Sequence, residues 1–137
     1  MKSGEPPTCA FCRTALPRSD EEILTWAHKR VELKDPVAMV SLAMNYGRGD
    51  RGLSVDHAKC IELLRESAGL GFPGAQYHLG SFHRQGGMGL EKNEETALKY
   101  WEKAAEGGHL VARHNLGSTD DANGDHVAAM RYWRLSA

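Results

Sequence analysis

Residues 75–83 read AQYHLGSFH, and related stretches occur at 38–46 (AMVSLAMNY) and at 112–120 (ARHNLGSTD). The three stretches begin 37 residues apart, and each has Ala first, Leu four residues later and a small residue after that Leu. Ala and Leu at positions i and i+4 lie on one face of a helix, and the small residue lets a neighbouring helix approach closely. The sequence therefore predicts three copies of one helix, with Leu42, Leu79 and Leu116 buried on its packed face.

The second half of each unit repeats as well. CIELLRESA (60–68), ALKYWEKAA (97–105) and AMRYWRLSA (129–137) align residue by residue. Small and bulky residues alternate at helical spacing, which is typical of helices that pack between other helices. Glycine-rich loops join the two halves, and the third loop is five residues shorter than the others. We therefore expect each unit to be helix, loop, helix and turn, with units near 38–74, 75–111 and 112–137.

A further helix is predicted before the first unit, within residues 19–35. Ser19 and Glu22 form a capping-box pattern at its start, and Asp35-Pro36 is a stop signal that ends it near Lys34. Its apolar residues fall where the second helix of a preceding unit would have them. We interpret this segment as a degenerate half-repeat that covers the N-terminal end of the array.

The repeated residues resemble the Sel-one-like repeats (SLR), which are relatives of the tetratricopeptide repeats. The second unit carries the family pattern in AQYHLG (75–80), GMGL (87–90), ALKYW (97–101) and AAEGG (104–108). The resemblance covers roughly residues 36–137. It implies an all-α fold, a right-handed α-solenoid of antiparallel helix pairs with about three SLR units plus the N-terminal capping helix. It also implies a non-enzymatic scaffold or adaptor that binds a protein or peptide.

Composition excludes several other classes of protein. Seventeen basic and eighteen acidic side chains give a net charge of −1, which lacks the dense positive charge that nucleic-acid binding needs. No apolar run is long enough to span a membrane, and the first residues do not form a secretory signal, so we expect an intracellular, cytoplasmic protein. We find no arrangement of nucleophile, base and orienting residue, and therefore expect no catalytic residues and no cofactor within these residues.

Two cysteines near the N-terminus suggest that residues 1–18 are the remnant of a separate domain. Cys9-Ala10-Phe11-Cys12-Arg13 resembles the closing C-x-x-C of a RING-type zinc domain. A structural zinc site needs four ligands, so Cys9 and Cys12 would bind zinc only if an upstream zinc domain exists in a longer parent protein. Residues 1–18 are then a flexible tail, the remnant of that domain. The alternative function is the C-terminal, substrate-binding fragment of a RING-type ubiquitin ligase. The other interpretation of the pair is two exposed cysteines in a flexible tail that bind no metal.

The partner-binding surface is predicted on the first helices, which would line the concave side. Their Ala, Leu and small-residue face packs inward, which leaves the other faces free for a peptide. The predicted partner-binding residues are Met39, Val40, Met44, Gln76, Tyr77, His78, Arg113, His114 and Asn115. A competing surface is the C-terminal open end of the last helix, with Met130, Trp133 and Leu135, which would serve a missing repeat, self-association or a partner.

Overall fold

The structure, a computed structural model, describes residues 19–136, with side chains described as far as Arg134. This part of the chain contains seven α-helices and no β-strand. The helices are α1 (Asp20–Glu32), α2 (Pro36–Arg48), α3 (His57–Gly69), α4 (Pro73–Gln85), α5 (Glu94–Glu106), α6 (Leu110–Ala122) and α7 (His126–Ser136). The predicted all-α repeat fold is confirmed.

The helix boundaries follow the 37-residue period of the sequence. The first helices of the units begin at Pro36, Pro73 and Leu110, and each is 13 residues long. They start two residues before the predicted unit boundaries, because the repeats were aligned on the Ala inside each helix. Helix α6 keeps its full length, so the five residues missing from the third unit are missing from the loop between α6 and α7.

Local capping explains where the second helices begin. The backbone N–H groups of Lys59 and Thr96 donate to the side chains of Asp56 and Asn93, which are the N-caps of α3 and α5. The N–H of Glu22 donates to the Ser19 hydroxyl at the start of α1, as the capping pattern predicts. A short polar side chain at the same position of each repeat thus caps the second helix and fixes the residue at which it begins.

Packing between the helices is local along the chain. Within each unit the first helix packs on the second, as α2 on α3, α4 on α5 and α6 on α7. Each second helix also packs on the first helix of the next unit, and α1 packs on α2 in the same way. Stability that comes from such neighbour-to-neighbour interfaces is the defining property of a solenoid. Helix α1 therefore takes the place of a second helix, as predicted for the capping half-repeat.

The core lies between the helices of each pair. Leu42, Leu79 and Leu116 are buried, as the sequence predicts. The small residues that follow them are buried too, and two of these are glycines that lie against tryptophan rings: Gly80 against Trp101, and Gly117 against Trp133. Close helix contact in the second and third units therefore depends on a glycine facing a large ring.

Candidate interaction surface

The first helices form a face of their own. Helices α2 and α4 contact each other directly, in addition to their contacts with the second helices. Residues that are partly or fully exposed recur on these helices at matching positions of the repeat. We define the first-helix face by six of them, namely Val40, Met44, Tyr77, His78, His114 and Asn115.

Three residues that the sequence nominated for partner binding do not belong to this face. Met39, Gln76 and Arg113 occupy the same position of the repeat. Met39 is 0% exposed and Gln76 is 9% exposed, so neither can line a groove. Gln76 Nε2 donates to the carbonyl of Ala68 (3.4 Å), and Arg113 Nε donates to that of Ala105 (3.0 Å). Gln76 and Arg113 thus donate to carbonyls in the last turn of the preceding helix, where the carbonyl groups have no hydrogen-bond donor within their own helix.

Tyr77 lies at the centre of an aromatic stack. Its ring is nearly parallel to that of His109, with 4.5 Å between the centroids, and stacks more distantly on Trp101 at 6.4 Å. The Trp101 indole N–H donates to the carbonyl of Tyr77 (3.3 Å), and the Arg84 guanidinium lies 5.1 Å from the Trp101 ring centroid. Tyr77 is half-buried, so part of it packs between helices and part of it stays exposed.

Two histidines flank Tyr77. Burial, followed by the nearby His109 and Arg48, lowers the pKa of His78, and burial lowers the pKa of His109. The N–H of Ala112 donates to His109 Nδ1 (3.2 Å), so His109 is the N-cap of α6 and needs an unprotonated Nδ1 for this role. The face therefore holds both rings in their neutral form near pH 7.

A polar depression continues the face between α4 and α6. Its volume is about 350 Å³, and it has a cation, a carboxylate, two amides and two hydroxyls among its walls. The lining residues are Arg84, Glu94, Asn115, Ser118, Thr119, Ala122 and Asn123. Asn115 is the predicted binding residue that lies here, and its amide can both donate to and accept from a peptide backbone.

The competing surface at the end of the array is present as well. Met130 and Trp133 on α7 are 51% and 38% exposed, whereas the side chain of Leu135 lies outside those described. A depression of about 420 Å³ is bordered by Val127, Met130, Arg131 and Arg134. We call Val127, Met130, Arg131, Trp133 and Arg134 the end face.

The predicted zinc residues cannot be placed. Cys9 and Cys12 lie outside the described residues, so zinc binding and the ubiquitin-ligase alternative stay predictions. Within residues 19–136 no group of three or more His, Cys, Asp or Glu side chains is placed to hold a metal ion. Cys60 is buried in the core, and burial raises the pKa of its thiol. No helix in this part of the chain combines the length and the apolar character needed to cross a membrane.

Sequence reasoning missed two residues of this surface. His109 stacks on Tyr77, and Arg48 lies near enough to His78 to lower its pKa. The repeat could have identified His109 as a helix-capping residue, because Asp35, Phe72 and His109 occupy the same N-cap position. No feature of the sequence pointed to Arg48, since only the packing of α2 on α4 brings it close to His78.

Comparison with known proteins identifies the repeat. The sequence pattern of the Sel1 repeat matches residues 36–72 and 73–109, which together make up more than half of the 137 residues. These two matches contain α2 to α5, and α6 and α7 add a third, shorter unit of the same architecture.

Relatives are found both by sequence and by fold. Chitin synthase regulatory factor 2 of Schizosaccharomyces pombe is 30% identical over 105 residues, which cover 73% of this chain and 20% of that protein. A Sel1 repeat protein from Oxalobacter formigenes has a TM-score of 0.74 at 27% identity, over 85% of this chain and 48% of that one. A protective antigen of uropathogenic Escherichia coli that displays an SLR fold has a TM-score of 0.72 at 25% identity, covering 82% and 25% respectively. The chain thus spans between a fifth and about half of these relatives.

Proposed function

The chain belongs to the Sel1 repeat family, and from that premise we propose that it is a non-enzymatic scaffold that binds a partner protein or peptide along its first-helix face. Sel1 repeat proteins act as protein-interaction scaffolds. The observation that carries the proposal is the repetition of outward-facing residues on α2, α4 and α6, while the opposite sides of these helices are buried. Such a row of equivalent positions suits a linear ligand.

The chemistry of the face favours a peptide with apolar groups and without excess positive charge. Val40 and Met44 are apolar, and Tyr77 adds a rigid amphipathic ring, a frequent anchor in interfaces. Helices α2 and α4 contain no carboxylate, whereas Arg48 and Arg84 are cations. Along α2 and α4 a neutral or acidic peptide, extended or helical, therefore fits better than a basic one, whereas α6 contributes Asp120 and Asp121.

The fission yeast relative supports a regulatory version of this role. Its name describes a regulatory factor of an enzyme, chitin synthase, and this chain covers only 20% of it. We propose that this chain, too, holds another protein, but the proposal does not extend to the same enzyme. Its own partner has to be identified by experiment.

Cross-linking from defined positions tests the proposal. A photoreactive amino acid at Met44 reports on the first-helix face, and the same group at exposed Lys99 on α5 is the matched control. We expect the partner in a cell extract to cross-link through position 44 and not through position 99. Equal cross-linking at both positions would mean that the first-helix face has no special role.

The affinity of the purified partner then separates the two candidate surfaces. Tyr77→Ala should weaken binding by about 1 kcal/mol or more, the level that marks important interface residues. Trp133→Ala, with the end face altered and the first-helix face intact, should leave the affinity unchanged. Both variants must first show wild-type circular dichroism, because Tyr77 also packs on Trp101. Loss at Trp133 with no loss at Tyr77 contradicts the proposal and moves binding to the end of the array.

A further inference from the structure

The N-cap of α6 differs chemically from the N-caps of the other first helices. In the first unit the Asp35 carboxylate accepts from the N–H of Ala38 (3.2 Å), and in the second unit Phe72 gives α4 no side-chain cap. In the third unit the acceptor is an imidazole, because His109 Nδ1 accepts from the N–H of Ala112 at 3.2 Å. Of these three caps, that of α6 is therefore the one that takes up a proton close to neutral pH.

His109 also connects the second unit to the third. Its ring lies nearly parallel to that of Tyr77 on α4, with 4.5 Å between the centroids, while its Nδ1 caps α6. Helix α2 packs directly on α4, whereas α4 and α6 contact each other at most weakly within the described residues. The connection between the first helices of the second and third units therefore depends largely on this side chain.

Only the neutral form of His109 can make both contacts. A ring nitrogen that accepts from a backbone N–H has no proton of its own, so the hydrogen bond from Ala112 requires an unprotonated Nδ1. A proton there would meet the N–H of Ala112 and place a positive charge at the N-terminus of α6, the positive end of the helix dipole. The stack on Tyr77, by contrast, survives protonation, because a cation is attracted to the face of an aromatic ring.

The surroundings of His109 oppose its protonation. Burial lowers the pKa of His109, and burial, followed by His109 and Arg48, lowers the pKa of the neighbouring His78. The other charged side chains on the packed helices are Arg84 on α4, Lys103 and Glu106 on α5, and Arg113 and His114 on α6. Glu106 and Glu102 of α5 lie near Tyr132 on α7, whose pKa is raised by burial first and then by Glu102, with Glu106 among the further causes. Proton uptake by His109 therefore begins below about pH 6.5, the ordinary pKa of histidine.

From this geometry we infer that His109 is a pH-sensitive connection between the second and third units, and that proton uptake at Nδ1 releases the first turn of α6 from α4. The ring stays on Tyr77, and the uncapped end of the helix moves away from it. The first-helix face is then continuous from α4 to α6 only while His109 is neutral. The consequence for binding rests on the proposed function, whereas the connection itself does not.

Nuclear magnetic resonance of the whole chain tests the connection without a partner. Ring ¹⁵N shifts should show His109 with its proton on Nε2 at neutral pH and with a midpoint below about pH 6.5. The amide signal of Ala112 should move with the same midpoint. Amide exchange in the first turn of α6, corrected for intrinsic rates, should rise about fivefold at low pH, the ratio expected for the loss of a typical N-cap.

The first turn of α2 is the internal reference for this exchange. Burial by itself would raise the pKa of its Asp35 cap, but the hydrogen bond from the Ala38 N–H and the Arg30 guanidinium outweigh this effect and lower that pKa. Asp35 therefore stays ionised over the range in which His109 titrates. Exchange in the first turn of α2 should not change with that titration.

Replacing His109 provides the decisive variant. Asparagine caps a helix well and does not titrate, so His109→Asn should abolish the pH response of the Ala112 amide. His78→Gln removes the neighbouring histidine, and His114→Asn removes an exposed one on α6. Both of these controls should keep the response. Circular dichroism near neutral pH checks that all three variants are folded.

The partner that cross-links through position 44 then measures the effect on binding. Wild type should bind it about fivefold more weakly near pH 5.5 than near pH 7.5, and His109→Asn should change by less than about twofold. An Ala112 signal that does not follow the His109 titration overturns the inference, and so does an affinity that falls equally in wild type and His109→Asn. Failure of the proposed function looks different, because positions 44 and 99 then cross-link equally while the titration of His109 and Ala112 is unaffected.

Discussion

Gly80 and Gly117 lie at the same position of the repeat. Each faces a tryptophan ring, but the two rings differ in how freely they can move. A methyl group on Gly80 would overlap Cδ1 of Trp101 and lie 3.0 Å from the carbonyl oxygen of Ala97. A methyl group on Gly117 would overlap Nε1 of Trp133, whose ring is 38% exposed. In the first unit Ala43 occupies this position, and Leu64 occupies the position of the tryptophans. The first unit therefore pairs a larger small residue with a smaller bulky one, whereas the other two units pair glycine with tryptophan.

Alanine substitution of the two glycines should separate these environments. Gly80→Ala should lower the free energy of unfolding by about 1–3 kcal/mol, because the buried Trp101 cannot move away. Gly117→Ala should cost less than Gly80→Ala, since Trp133 can move and Ala gains helix propensity. Gly69→Ala is the control and should stabilise α3, because no atom lies within 4 Å of the added methyl group. Urea denaturation gives all three values, and equal costs at positions 80 and 117 would refute the argument.

The two histidines with lowered pKa make stability depend on pH. A lowered pKa means that the unfolded chain, with histidine near pH 6.5, takes up protons before the folded protein does. Above about pH 6.5 both states are neutral and the stability is complete, and it falls as the pH drops further. The variant His78→Gln/His109→Asn, in which Asn can still cap α6, should lose less stability than wild type between pH 7.5 and 5.5. Thermal unfolding at several pH values tests this, with exposed His28→Gln as the control.

At the scale of elements, each second helix depends on its cap. The Asp56 side chain accepts from the N–H of Lys59 (2.9 Å) and is the N-cap of α3. Asp56→Ala should lower the free energy of unfolding by about 0.5–2 kcal/mol, and Asp56→Asn should cost far less because Asn caps nearly as well. Chemical denaturation compares the two. If Asn costs as much as Ala, the carboxylate charge rather than the capping hydrogen bond stabilises the helix.

At the scale of the whole molecule, the central unit joins the others. Leu79 is fully buried in the cluster that connects the first two units. Leu79→Ala should therefore lower the free energy of unfolding by about 2–5 kcal/mol, the usual range for truncating a core leucine. Guanidinium denaturation measures the loss, and a change below about 0.5 kcal/mol would contradict the packing described here.

Among the three units described, the third should be the least stable. Within residues 19–136, helix α7 packs mainly on α6, whereas α3 and α5 are each packed between two first helices. In a one-dimensional array a terminal unit lacks one stabilising interface. Amide hydrogens of α7 should therefore exchange with solvent faster than those of α3 and α5. Hydrogen exchange followed by mass spectrometry checks this, and equal protection along the chain would mean that the array opens as a whole.

The sequence alone determined the repeat, the helices and the buried leucines of this protein. A period of 37 residues, caps at matching positions and Ala and Leu at helical spacing are local features, so each can be read without knowing what packs on what. The same information predicted that the third unit would be shortened. The resemblance to the Sel-one-like repeats then indicated the order in which the helices stack.

The tertiary structure decided which side of each first helix is available. Helical spacing shows which residues share a face, but the crossing of neighbouring helices decides which face is covered. For this reason Met39 and Gln76 were predicted on the surface and are buried. The same packing brings Arg48 to His78, and it leaves Met130 exposed at a position where Ile61 is buried. Burial of a repeated position depends on its neighbouring unit, and that neighbour is a property of the folded array.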